Sequence, residues 1–294
     1  MSAIKITDNG GHTISMTSLE GYYIPSFSPP EILRDIFNNI PHLKCRNDDV
    51  FVCAPLKSGT HWTWEIVSMI LNGKAEIIHK SKNTQMLEAV PTETIDGAPS
   101  PRVLNSHLNL YRLPREVLEQ KCKIVLILRD PRDVAVSLYH HCKGILKYEY
   151  DGIFENFLPL FLEGKLMYNS YLDYVVEWEK AMEERPGIHL IYYEDLKTNC
   201  IEEVRKLALF LEVTCSNDLI RKISDKCNFQ QMKDDKEKHI PEELRKALYK
   251  NNFSMFRKGT VGDWRNIFSV AQSEYFDSMF LEKMKKSKLL RRYT

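Results

Sequence analysis

V-F-V-C-A-P-L-K-S-G-T-H-W-T-W-E-I-V-S-M-I-L, Val50 to Leu71, joins an apolar β-rich run to an apolar run of helical spacing (Trp62, Ile66, Met69, Ile70) across Pro55 and a polar turn. The spacing predicts strand, tight loop, helix. The loop Leu56 to Thr60 carries one lysine, two hydroxyls and one glycine where free backbone N–H groups gather at a helix start, a setting that attracts a phosphate-like anion. Gly59 lets the backbone come close, Lys57 adds a full charge, and Ser58 and Thr60 can donate further hydrogen bonds. The G-x-x-x-x-G-K-[ST] order of nucleoside-triphosphate loops is absent, because the lysine precedes the glycine. Taken alone, the loop reads equally well as a capped turn with an exposed lysine.

Around this stretch, strands and helices alternate. Arg102 to His107 reads as a short strand ending in a histidine, Lys123 to Leu128 as a fully apolar strand, and Ile188 to Tyr193 as another. Helices are expected at Pro30 to Asn39, Pro114 to Gln120, Val134 to Cys142, Ile153 to Glu163, Leu166 to Glu184, Asn199 to Leu211, Asn217 to Cys227 and Ser269 to Lys286. Residues 1–20 read as a loose terminus, 73–100 as loops, and 228–264 as a long surface segment. This order predicts an α/β fold, a central parallel sheet flanked by helices in a single domain over residues 1–294.

Charge and cysteine usage narrow the class. Lysine plus arginine less aspartate plus glutamate is 41 − 40 = +1, so no global field draws the chain to nucleic acid or an anionic membrane, and any anion site is local. Met1 to Glu20 lacks an apolar signal core and no later run is long enough to span a bilayer, which leads us to expect a cytoplasmic protein. Seven cysteines without C-x-x-C spacing argue for reduced thiols and against a zinc site, and the sequon Asn252-Phe253-Ser254 reads as chance.

Four separated motifs now carry a resemblance over nearly the whole chain: P-L-K-S-G-T-H-W, L-R-D-P-R-D-V-A-V-S, Y-Y-E-D-L and F-R-K-G-T-V-G-D-W. In this order and spacing the chain resembles the cytosolic sulfotransferases. The resemblance implies a P-loop-like fold and a donor, 3′-phosphoadenosine 5′-phosphosulfate (PAPS). By motif, Lys57, Ser58, Gly59, Thr60 and His61 would hold the 5′-phosphosulfate, and Arg129, Ser137, Arg257, Lys258 and Gly259 the 3′-phosphate. Trp62 and Phe229 would flank the adenine and Tyr193 would help to close that pocket. Alone, Arg129 with Asp130 and Asp133 also reads as a surface ion-pair cluster, Ser137 as a helix serine bonding backward, and Arg257-Lys258 as solvated charge.

The resemblance further implies a catalytic trio of His107 as general base, Lys57 neutralising the leaving phosphate, and Ser137, with no metal required. Two positions depart from the family pattern. His61 stands for a second threonine, and Asn105 for a lysine common two residues before the catalytic histidine, so Asn105→Lys is expected to raise turnover. The acceptor would be a small, mostly apolar phenol, alcohol, steroid or amine among Tyr22, Tyr23, Met86, Leu87, His141, Tyr148 and Phe253. Adjacent His140 and His141 diverge on a helix, which disfavours a metal pair. Arg265 to Glu274 resembles the family's dimerisation motif and implies a possible homodimer. The competing classes are a nucleotide-dependent kinase, which would have no use for the second anion cradle, and a silent PAPS-binding protein.

Overall fold

The computed structural model describes residues 1–79, 81–119, 122–250 and 253–294. Gln120 of the expected Pro114 helix and Asn252 of the sequon lie outside the described residues; within the former, Arg115–Leu118 is helical. The chain opens with an antiparallel sheet of β1 (Ser2–Thr7), β2 (Thr13–Leu19) and β3 (Tyr22–Pro25). This corrects the loose terminus expected over residues 1–20. The turn Asp8-Asn9-Gly10-Gly11 closes the first hairpin with Thr7 opposite Thr13, and the alternate residues Ile14 and Met16 are fully buried. Asp8 organises the turn by accepting from the Gly10 and His12 N–H groups at 2.8 and 2.9 Å and from the Tyr150 hydroxyl at 2.8 Å.

The central sheet contains β4 (Val50–Cys53), β5 (Val103–Ser106), β6 (Lys123–Leu128) and β7 (Ile188–Tyr192), all parallel, in the order β5-β4-β6-β7. Alternate side chains enter two separate cores: Phe51, Cys53, Leu104, Ile124 and Leu126 on one face, Val50, Val52, Val103, Val125 and Ile127 on the other. Burial on both faces explains the uninterrupted apolar strands. Helix Thr60–Asn72 follows β4, Pro131–Gly144 follows β6, and Tyr193–Thr198 follows β7 directly. β4 has neighbours reached from opposite directions in the sheet, so the carboxyl edge beside it is the switch point where open parallel sheets take ligands.

The long surface segment expected over residues 228–264 is partly helical. Phe229–Lys238 and Glu242–Leu248 are helices, the first capped by Asn228, whose side chain accepts from the Gln230 N–H at 3.0 Å. Among the described residues no helix is long and apolar enough to cross a membrane.

The N-terminal sheet packs Ile14 and Met16 into the same core as Phe51, Leu104 and Ile124 of the central strands, and it is tied to the segment before helix Tyr171–Glu184: the Tyr168 N–H donates to the Tyr23 carbonyl at 2.7 Å and Asn169 Oδ1 accepts from the Tyr23 N–H at 2.8 Å. Ile14→Ala should therefore lower unfolding free energy by about 2–5 kcal/mol. Lys5→Ala, which removes only an exposed side chain, should change it by less than about 0.5 kcal/mol. Denaturant titration of the two variants measures the contrast.

Candidate active site

Every strand of the central sheet delivers site residues at its carboxyl end. β4 runs into Lys57, which has φ +70°, and Gly59, with φ +112°, starts the Thr60 helix without a side-chain cap. Gly59 is required for contact as well as conformation, since a Cβ there would come within 2.8 Å of the Tyr193 ring. Ser58 Oγ, Thr60 Oγ1 and Thr63 Oγ1 are buried with no hydrogen-bond partner among the described residues. Such donors around an uncapped helix start fit a tetrahedral anion. Burial, then the nearby Arg129 guanidinium, pushes the Lys57 ammonium down to about 8. Burial and the fields of Lys82 and Lys57 hold the His61 imidazole well below its usual value, so it faces the loop neutral.

β6 ends at Arg129, which donates to the carbonyls of Lys57 (3.4 Å) and Thr260 (3.2 Å), lies 4.2 Å over the Tyr193 ring and leaves Nε unpartnered. The surface-cluster alternative fails because Asp133 is buried, accepting from the Gly262 and Trp264 N–H groups at 2.8 and 3.0 Å. Asp133 thereby clamps the late loop onto the Pro131 helix beside Arg129. In that loop Arg257 and Lys258 both bind Asp263, at 2.5 and 2.9 Å. Burial would raise the Asp263 carboxyl, but hydrogen bonds from Lys258, Arg257 and Asn266 hold it far below the usual range. Gly259 (φ +65°) lies against the Phe229 ring, where a Cβ would clash at 2.2 Å.

Trp62 meets Tyr193 edge to face at 5.5 Å, and the Lys197 ammonium sits 5.7 Å from the Trp62 ring and 5.8 Å from Phe229. Two aromatic residues thus face one cation, a platform suited to a flat heterocycle. Ser137 is half-buried, forms no backward hydrogen bond among the described residues, and lies four residues from both Asp133 and His141 along one helix face. His140 feels the charge of Arg257 and His141 that of Lys57 and Lys82, so the adjacent imidazoles do face different surroundings.

β5 leads into His107, buried, with Nδ1 2.9 Å from the Ala54 carbonyl. A carbonyl only accepts, so Nδ1 carries the proton and Nε2 presents a lone pair. Burial, then Lys82, pushes this imidazole down to about 3, with the Ala54 bond opposing. Glu88 accepts from the His107 N–H at 2.7 Å and from Ser106 Oγ at 2.9 Å, and the Tyr168 ring lies 5.4 Å from His107. Tyr168 and Asn169 both have positive φ, strain concentrated beside the imidazole.

Residue 105 itself carries no charge, but an ammonium lies beside it: Lys82, buried, donates to Asn105 Oδ1 at 2.9 Å. Of the expected acceptor residues, Tyr148 and Phe253 both face His141, at 5.5 and 6.5 Å, and Met86 bridges to Asn105. Leu87 is buried and donates its N–H to the Asn105 carbonyl, Tyr22 lies under Arg112, and Tyr23 is engaged with Asn169. Lys82, Glu88, Lys197 and Tyr168 carry no local sequence signal that would have found them.

The protein-family comparison matches a sulfotransferase domain over residues 47–288. Dog sulfotransferase 1B1 is 37% identical over 84% of this chain and 87% of its own, and rabbit amine sulfotransferase 32% identical over 85% of each. Among solved structures, mouse SULT7A1 complexed with PAP superposes with a TM-score of 0.77 at 27% identity, covering 95% of this chain and 97% of that one. Retinol dehydratase, at 21% identity, shares the fold with a TM-score of 0.76 over 97% of this chain and 91% of its own. On the strength of the domain match and these relatives, the chain belongs to the cytosolic sulfotransferases, the PAPS-dependent enzymes that its four motifs resemble.

Proposed function

We infer that the chain moves the sulfuryl group of PAPS to a hydroxyl, or an amine, of a small and mostly apolar acceptor, with His107 as base. The observation that carries this reading is the Nδ1 bond to Ala54, which leaves Nε2 of a neutral imidazole free to take a proton. Bound PAPS supplies the sulfuryl group: an acceptor oxygen–sulfur bond forms, the sulfur–oxygen bond to the 5′-phosphate breaks, and the bonding pair stays on that phosphate. His107 takes the acceptor proton at Nε2. Lys57, with the N–H groups at the uncapped helix start, offsets the charge left on the phosphate.

Ser58, Gly59, Thr60 and His61 would complete that cradle, while Arg129, Ser137, Arg257, Lys258 and Gly259 would hold the 3′-phosphate. Trp62, Phe229 and Tyr193 would enclose the adenine. The unpartnered groups Ser58 Oγ, Thr60 Oγ1 and Arg129 Nε support both cradles. Tyr148 Oη and His141 Nδ1, buried and unpartnered, support a polar function on an otherwise apolar acceptor. The exposed Val270, 77% accessible at the centre of Arg265 to Glu274, supports dimerisation through that segment.

Labelled-sulfate transfer from PAPS to a panel of phenols, alcohols, sterols and amines tests the reading. Lys57→Ala should lower kcat by about 10²–10³-fold, and His107→Ala by about 10²–10⁴-fold with PAP affinity retained. Parental rates in both variants would remove the proposed chemistry. A parent that binds PAP and transfers nothing would make it a binding protein.

The depressed Lys57 ammonium is charged below about 8 and neutral above it, with burial, Arg129, Lys82 and Arg257 pushing it down and Cys142 opposing. PAP affinity should accordingly weaken several-fold from about pH 7 to about pH 9, and Lys57→Met should flatten the profile. Calorimetric titration across that range reads both. Val270→Glu should shift a dimer to a 34.4 kDa particle in a solution mass measurement; a parent already at that mass would reject dimerisation.

A further inference from the structure

Lys82 opens the short turn Lys82–Gln85 that crosses the end of β5, and only 3% of it reaches solvent. Its ammonium donates to Asn105 Oδ1 at 2.9 Å and approaches Met86 Sδ at 3.9 Å. Asn105 Nδ2 donates back to the carbonyls of Lys82 and Gln85 at 2.9 and 3.1 Å, so the amide is fully committed to holding this turn. Among the described residues, no carboxylate forms an ion pair with Lys82. Glu88, whose field acts on Lys82, accepts from the His107 N–H and Ser106 Oγ and forms no ion pair with the ammonium among the described residues. A buried ammonium without a direct ion-pair partner favours an arriving anion.

Its position says which anion. Asn105 lies in β5 and His107 directly follows that strand, so the Lys82 ammonium is anchored two residues from the proposed base. The Lys82 charge acts on His107, His61 and Lys57 alike, so it lies within electrostatic reach of both the proposed base and the 5′-phosphate cradle. We propose that Lys82, held by Asn105, is a second ammonium of the transfer site, binding the anionic sulfuryl oxygens as that group passes toward the acceptor at His107. This role rests on the reading of Lys57 and His107 given above. It reverses the expected effect of Asn105→Lys, which would set two ammoniums together and remove the amide acceptor.

Lys82→Gln keeps a hydrogen-bonding side chain and removes the charge. Its kcat should fall about 10²-fold, and its affinity for PAPS relative to PAP, which lacks the sulfuryl group, about tenfold. The PAP Kd should stay within about twofold, and the His107 imidazole, followed by NMR without ligand, should titrate at higher pH than in the parent. Asn105→Lys alone should slow turnover, and the exchange Lys82→Asn with Asn105→Lys should recover kcat and the PAPS preference. A Lys82→Gln enzyme with parental kcat and PAPS preference overturns the proposal. So does an exchanged enzyme with parental Tm that remains slow, the deciding variant if Lys82→Gln does not fold. Lys57→Ala and His107→Ala run alongside separate the two readings: slow controls with a fast Lys82→Gln reject Lys82 alone, and fast controls reject the site.

Discussion

Two lysines that form no ion pair among the described residues, Lys57 and Lys82, set the character of this active site. Lys57 and Lys82 are both pushed down to about 8, chiefly by burial, near the carboxyl ends of β4 and β5. Removing an ion from water costs several kcal/mol even after relaxation. Among the described residues no acid offsets that cost with a direct ion pair to either lysine, Glu88 acting on Lys82 through its field alone. Asp133 holds the late loop, Glu88 the His107 backbone, and Asp263 the Arg257–Lys258 pair. The field of the two lysines favours an arriving anion and is already oriented before it arrives, the condition for electrostatic stabilisation without reorganisation. The same field keeps imidazoles neutral. His61, His107 and His141 are all lowered by burial and by these lysines, so a proton acceptor stands beside cations without becoming one.

The two anion cradles are mechanically joined. The Pro131 helix presents Asp133, Ser137 and His141 on one face, with the late loop at one end and the surroundings of Lys57 and His107 at the other. Arg129 links the loops directly by donating to the carbonyls of Lys57 and Thr260. Tyr193 lies between them, under Arg129 and against Gly59. A displacement of the late loop would therefore be transmitted to the loop that carries Lys57, through packed contacts and not through a flexible tether.

Legibility followed locality. β4 and β6 were readable to the residue because continuous apolar runs are bounded by polar residues or a breaker. The N-terminal hairpin was hidden by composition: Ile4, Ile6, Ile14 and Met16 alternate correctly around Asp8-Asn9-Gly10-Gly11, but the intervening residues made the segment look merely polar. In 228–264, dense charge masked helices that bury little, Met232 alone being buried in Phe229–Lys238. At the site, contiguous motifs were visible. Contacts between distant segments were not, since Lys82 reaches Asn105 across 23 residues and Asp133 reaches the Trp264 N–H across 131.

Asn105 shows why residue-by-residue transfer from a family can misjudge an electrostatic site. A motif registers charge at a backbone position, whereas a reacting group responds to charge in space. An ammonium rooted on β5 would be fixed by the sheet. One rooted at Lys82 is fixed by a turn that continues into Met86, which bridges to the same Asn105 and belongs to the segment expected to face the acceptor. The expected acceptor-facing residue Met86 and the buried ammonium of Lys82 are thus parts of one short stretch. An acceptor that shifts Met86 would also shift the ammonium, coupling substrate shape to the electrostatics of transfer in a way that a lysine on the strand would not.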